Sequence, residues 1–241
     1  MMNYWRIRQA IFGNKAFSSL KDLVVAVQEE EEKQGRQAQL NRQNQQQQQQ
    51  EEEKADGGDD ETVEKVKDLS GGFPVGEHVT LPDDRFGRPV VFFTEGQNYN
   101  DFTQTLRQSF LLFHQLAHQN EIYQRHGCVI VVDARRIDPD HFNRKQYRRK
   151  LELLRDAVPI RIRAIHVCFA AFKSPARLLQ PSILWMYGPK LRLRRKVHYG
   201  SRKILAQSLV EYGLKLEGLP PSLGGTLLYK KKPNGKDECS G

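Results

Sequence analysis

Cysteine is scarce in this chain: Cys128, Cys168 and Cys239 are the only three, scattered and without a CxxC pair. That leaves no disulfide framework or zinc-knuckle spacing and fits a reducing compartment. Long apolar runs are missing too. No stretch approaches the roughly 18 residues that a membrane-spanning helix needs. The opening residues carry Arg6 and Arg8 but no apolar h-region, and neither an N-terminal glycine nor a CaaX box marks a lipid anchor. A cytoplasmic protein with at most peripheral membrane contact is expected. Catalytic signatures are also lacking: there is no HExxH, GxSxG or GxxxxGK[ST]. His114 and His118 are four apart on a predicted helix, but the Gln-Leu-Ala between them supplies no base. Asp138-Pro-Asp140 reads as a turn and helix cap, and Gly224-Gly225 as a tight closing turn without the Lys and helix of a phosphate cradle. No enzyme, metal site or cofactor is expected.

What the chain does have is charge, unevenly spread. Its 241 residues carry a formal net charge of +9, which favours anionic partners. The acidic run Glu29 to Glu32, the glutamine tract Gln45 to Gln50 and the acidic residues up to Glu61 lack aromatic and β-branched residues. Such composition cannot bury enough surface to offset chain entropy, so disorder or frayed helix is expected there. Between Arg125 and Lys203, by contrast, 20 Lys and Arg stand against 5 Asp and Glu. Four segments follow: a short N-terminal helical segment (1–27, with Phe17, Leu20, Leu23 or Val24, and Val27 at helical spacing), an acidic Gln-rich linker (28–71), a folded domain (72–228) and a flexible tail (229–241).

Within the domain, Arg88 to Phe93 reads as a strand with Pro89 at its start. Residues 101 to 126 read as one long helix, with Phe102, Leu106, Phe110, Phe113 and Ala117 on one face, stopped by Gly127. Cys128 to Val132 is a continuous apolar run ending in Asp133, as in a parallel strand buried on both faces. A charged helix over 140–156 uses Phe142, Leu151 and Leu154. A strand follows over Arg163 to Phe169, and an amphipathic helix over Ser201 to Tyr212 uses Ile204, Leu205 and Leu209. Alternating strands and helices predict an α/β fold with a mostly parallel sheet.

The densest basic segment is Lys190-Leu-Arg-Leu-Arg-Arg-Lys-Val-His-Tyr199, with five cations in its first seven residues. Leu191 and Leu193 read as core anchors within it. Arg161 and Arg163 alternate with Ile160 and Ile162, as on a strand with one wet side. The basic run has no interleaved aromatics for base stacking, so no nucleic-acid partner is expected.

Read together, these segments resemble the CRAL-TRIO lipid-binding family. Val158-Pro-Ile-Arg-Ile-Arg-Ala-Ile-His-Val167 is similar to its "yPlrvraIHlin" stretch, and the basic run through Gly200 to its "lseKlreRihvHG". Leu219-Pro-Pro-Ser-Leu-Gly-Gly-Thr-Leu227 is similar to its closing "LPseyGGtl". Gly87-Arg-Pro-Val90 resembles "GRPv", and Gly127 to Asp133 its "G...i.D" strand. The nearest flavour is the branch of α-tocopherol transfer and cellular retinaldehyde-binding proteins. The resemblance implies an α/β sandwich whose sheet floors an apolar pocket under a gate helix. It implies a monomer that binds a hydrophobic lipid or isoprenoid and moves it between membranes without making or breaking a bond. By the same resemblance, Arg161, Arg163, Arg192 and Lys196 contact a phosphoinositide headgroup at a membrane surface, which leaves Lys190, Arg194 and Arg195 solvated. Phe172, Leu178, Leu179, Ile183, Leu184 and Trp185 line the pocket and gate, with Trp185 and Tyr187 suited to a membrane interface. The chain departs from the family at Phe169-Ala-Ala171, where Asn-x-Pro is common, and at Met186-Tyr-Gly-Pro189, where "KPFL" stands. A glutamate of the phosphatidylinositol-transfer branch falls at Ile160, against an inositol-lipid cargo. A second reading of the altered gate is a protein-interaction or regulatory module.

Overall fold

All six residues of β3 (Cys128–Asp133) are buried, as an unbroken apolar run requires when helices cover both sides of a sheet. The computed structural model describes residues 2–53, 78–95, 102–137, 142–170, 180–230 and 238–240. β3 is central to a five-stranded sheet with β1 (His78–Leu81), β2 (Val90–Thr94), β4 (Ile162–Phe169) and β5 (Arg195–Tyr199), in the spatial order β1-β2-β3-β4-β5. β1 is antiparallel to β2 and the other three pairings are parallel. The mixed α/β architecture expected from alternation is therefore present, with an additional strand at each end of the sheet.

The helix expected over 101–126 is two helices, α3 (Phe102–Gln119) and α4 (Glu121–His126). Asn120 makes the break: its backbone is extended and its side chain accepts the Ile122 N–H, which restarts the helix. Gly127 ends α4 at φ 74°. α5 (Arg144–Asp156) is likewise capped by Asn143, whose side chain accepts the Gln146 N–H. Asp138-Pro-Asp140 lies outside the described residues. α6 (Gln180–Met186) and α7 (Gly188–Arg192) precede β5, and α8 (Arg202–Glu211) follows it.

Strand alternation divides the core. Val90, Phe92, Val129, Val131 and Cys168 pack with Leu205, Ala206 and Leu209 of α8 and with Leu214, Leu219, Leu223 and Leu227. Phe93, Ile130, Val132, Ile165 and Val167 are buried on the opposite face. Gly224, at φ 88°, turns the chain there, and Gly225 donates its N–H to Pro220. A Cβ at Gly225 would fall onto the Leu219 carbonyl, whose oxygen accepts the Leu227 N–H at 3.0 Å. Gly225→Ala is therefore expected to destabilise the domain by at least about 2 kcal/mol. Gly35→Ala, with open space around the site, is expected to cost nothing. Equal urea midpoints for the two variants would refute this packing.

The chain divides into two units, Met1–Phe17 with Asp68–Gly241, and Ser18–Lys67. In the second, α2 (Leu20–Glu53) is a single helix. Its start is a capping box in which Asp22 accepts from Ser19 N (3.1 Å) and Asp22 N donates to Ser19 Oγ (3.2 Å). The acidic run and glutamine tract fall within α2 up to Glu53, and the rest of the expected linker lies outside the described residues. In the first unit, α1 (Met2–Phe12) and a 3-10 turn (Gly13–Phe17) occupy the N-terminus. Phe17, placed by its spacing on a helical stripe, sits in that turn and is exposed. The expected tail contributes a short antiparallel pair, β6 (Leu228–Lys230) with β7 (Glu238–Ser240).

Candidate functional site

A β-bulge at the start of β4 organises the basic side chains. Cys128 pairs with Ile162 while Val129 pairs with Ala164, so Arg163 is the extra residue. Its stem runs over Gly127, where a Cβ would lie 2.9 Å from Arg163 Cγ. The guanidinium donates to the carbonyls of His126 (2.8 Å) and Arg125 (3.3 Å). Arg163 thus caps the C-terminus of α4, where a cation complements the free carbonyls.

Beside it lies a cleft of about 310 Å³ lined by Leu154, Val158, Pro159, Ile160, Ile162 and Leu191, together with Arg155, Arg161, Lys190 and Arg194. Every charged side chain in this lining is a cation. Arg155 is engaged by Asp156 at 2.6 Å, and Arg194 donates to the Ile162 carbonyl at 2.7 Å. Arg161, just before β4, and Lys190, in the middle of α7, are exposed. Partial desolvation, then the charges of Arg161, Arg194 and Arg88, lower the pKa of Arg163. Several cations therefore share one field here, offset only at Arg155 by Asp156 and Glu152 among the described residues.

Of the four arginine and lysine residues implied as headgroup contacts, Arg161 alone is in the lining of this cleft. Arg161 lines the cleft and Arg163 adjoins it. Arg192 is the exposed last residue of α7, outside the lining. Lys196, on β5, lies over the Tyr212 ring at 5.6 Å. Lys190 and Arg194, read from the sequence as solvated, do line the cleft. Leu191 is a core residue, 4% exposed, but Leu193 is 89% exposed and is no anchor. It sits in the turn after α7, where its N–H reaches back to the Pro189 carbonyl and its side chain points away from the fold.

Of the gate residues, Ile183 is buried, Leu184 half-buried and Trp185 exposed at 81%. Phe172, Leu178 and Leu179 lie outside the described residues. Tyr187, read as an interface residue, is instead buried, because its hydroxyl meets that of Tyr147 at 3.2 Å and Arg195 stands over its ring.

Sequence reasoning missed two buried polar groups. On the α5 side of the sheet, Lys150 donates to Glu95 Oε1 at 2.8 Å, with both side chains 5% exposed and the ammonium over the Phe93 ring. The available signal was that Tyr147, Lys150, Leu151 and Leu154 share one helical stripe, so Lys150 sits at an apolar position. On the α8 side, His166 Nδ1 meets His198 Nε2 at 2.9 Å, and His198 Nδ1 meets Ser208 Oγ at 2.8 Å. Asp133, at the end of β3, holds Arg135 through two hydrogen bonds of 2.8 and 2.7 Å. Among the described residues no group of three or more His, Cys, Asp or Glu could hold a metal ion, and no helix is long and apolar enough to cross a membrane.

A family model described as the divergent CRAL/TRIO domain matches residues 87–232, more than half of the chain. The match names the family and no branch within it. No curated protein matches the sequence.

Proposed function

The chain belongs to the divergent CRAL/TRIO family, and from that premise we propose that it binds a hydrophobic lipid, carries it between membranes, and docks on phosphoinositide-bearing surfaces. The observation that carries the docking is the cleft in which Arg161, Lys190 and Arg194 converge without an acidic neighbour in the lining. Arg forks suit phosphate oxygens and Lys adds a point charge. Exposed Trp185, on α6 before the cleft, suits the headgroup layer of a bilayer. The protein then acts in the cytoplasm as a peripheral, non-enzymatic carrier, its lipid held between the sheet and the gate segment by burial of apolar surface.

The test is sedimentation with phosphatidylcholine vesicles containing phosphatidylinositol bisphosphate, against vesicles matched in charge by phosphatidylserine. Each basic group near an anionic bilayer contributes about 1 kcal/mol. Arg161→Ala with Lys190→Ala is therefore expected to weaken binding about 30-fold. If that pair binds like the wild type while Arg192→Ala with Lys196→Ala does not, the headgroup lies at the other two cations and the cleft assignment fails. Lipid that co-purifies in native mass spectrometry supports the carrier reading.

The buried Glu95–Lys150 pair favours a second reading, a protein-interaction or regulatory module. An ion pair stands on a sheet face where an acyl chain would want apolar neighbours. A consistently empty protein in the same spectra would favour that module over the carrier.

A further inference from the structure

A second cavity borders α5, as the basic cleft does, but shares no lining residue with it. α1 is fixed on α3 by several contacts. The Arg107 Nε donates to the Ile11 carbonyl at 2.9 Å, Tyr4 meets His114 Nε2 at 3.3 Å, and Phe12 packs edge-on to Phe110. Where α1 also faces α5, the three helices leave a cavity of about 290 Å³. Ile7, Ala10, Ile11 and Leu106 supply its apolar wall, and Arg6, Arg149, Thr103 and Glu152 its polar part. Glu152 is taken by Arg148 at 3.2 Å. Arg6 and Arg149 are exposed, and neither has an ion-pair partner among the described residues. An apolar wall with a few convergent polar groups is the usual make-up of a small-molecule site. Two uncommitted guanidinium groups beside a neutralised carboxylate set the sign of the ligand.

We propose that this α1–α3–α5 cavity binds a small anionic amphiphile, its apolar body against Ile7, Ile11 and Leu106 and its carboxylate or phosphate on Arg6 and Arg149. The two head groups share one chemistry, since both accept forked hydrogen bonds from guanidinium. The site adds a ligand to the protein beyond any lipid held against the sheet, and it stands or falls independently of membrane docking.

Trp5, next to Arg6, reports on the site once Trp185→Phe has removed the other of the chain's two tryptophans. The full-length Trp185→Phe protein is titrated with octanoate, octyl phosphate and octanol, followed by Trp5 fluorescence and calorimetry. Saturable one-site binding of octanoate or octyl phosphate is expected, at least tenfold tighter than octanol. The tighter of the two anions identifies the head group. Arg6→Glu with Arg149→Glu is expected to weaken binding at least 30-fold. Ala10→Phe, which fills the cavity from an exposed helix position, is expected to abolish it. Arg161→Ala with Lys190→Ala should leave it unchanged. Equal binding of octanol, or anion binding that survives both cavity variants, would overturn the assignment.

Discussion

Lys150→Ala is expected to destabilise the domain by about 3–5 kcal/mol, because it strands a buried carboxylate. Glu95 and Lys150 are each 5% exposed and 2.8 Å apart, so removing the ammonium leaves Glu95 without its counter-charge in a low-dielectric site. Glu95→Ala strands the lysine in the same way. The double change Glu95→Gln with Lys150→Met should recover most of the loss. Burial pushes the Lys150 ammonium down to about 8, and the attraction of Glu95 opposes this only in part. Desolvation thus outweighs the pairing, the balance in which replacing both charges is often neutral or stabilising. Urea midpoints of the two single variants and the double variant measure the coupling directly. Single variants within about 1 kcal/mol of the wild type would show that the pair is solvated. The pair also bears on function: a double variant that keeps its stability and gains co-purifying lipid would mean that this ion pair, and not the fold, limits occupancy of the sheet face.

How much of this was legible depended on whether charge and burial agreed locally. β3 was readable because every residue is buried and apolar, and β4 because Ile165, Val167 and Phe169 keep one face dry. β5 was not, since Arg195, Lys196 and the cations before it look like a solvated surface. The strand forms at the end of the sheet order, where only one side must find a partner. β1 is four residues long, too short to show a period. The break at Asn120 left no gap in the apolar spacing, although Asn before Glu121 is a capping signal. For the site, the family resemblance pointed to segments that border the basic cleft, while the lining itself takes Arg161, Lys190 and Arg194. Within Lys190 to Lys196, a helix changes to a strand at Arg194, so neighbouring cations turn to different sides. Lys190 and Arg194 reach the cleft, whereas Lys196 reaches Tyr212 on the α8 side. No period of 2 or 3.6 across the whole run predicts that division. The His166–His198 contact was hidden for a related reason. It needs the register that sets His166 opposite Lys196, with His198 two residues on.

The pair joins two other buried histidines in the second large effect: stability is expected to fall steeply as pH drops from about 6.5 toward 4.5. Burial pushes His166 down to about 3, helped by His198, Arg88 and Lys196, and pushes His198 down to about 4, helped by Lys196. His114 is lowered to about 4, chiefly by burial, against the pull of its bond to the Phe110 carbonyl. Burial, with Lys150, lowers His78. In each case the folded state binds its proton less readily than the unfolded chain, whose imidazoles titrate at the ordinary 6.5. Above that pH both states are neutral and stability is flat. Below it the unfolded state takes up protons that the folded state refuses, so stability declines until the folded values are reached. After a discount for solvent screening, His166, His198 and His114 are each worth about 2 kcal/mol, and the adjacent pair contributes less than twice that. For His166, His198 and His114 together this comes to about 5 kcal/mol, which rivals the whole stability of an ordinary domain, and His78 adds to it in the same direction. Urea midpoints between pH 7.5 and about 5.3 follow the decline while most carboxylates remain ionised. A midpoint constant over that range would sink the argument. In the double variant His166→Gln with His198→Gln, the decline should be clearly shallower, because only His78 and His114 remain to take up protons on unfolding.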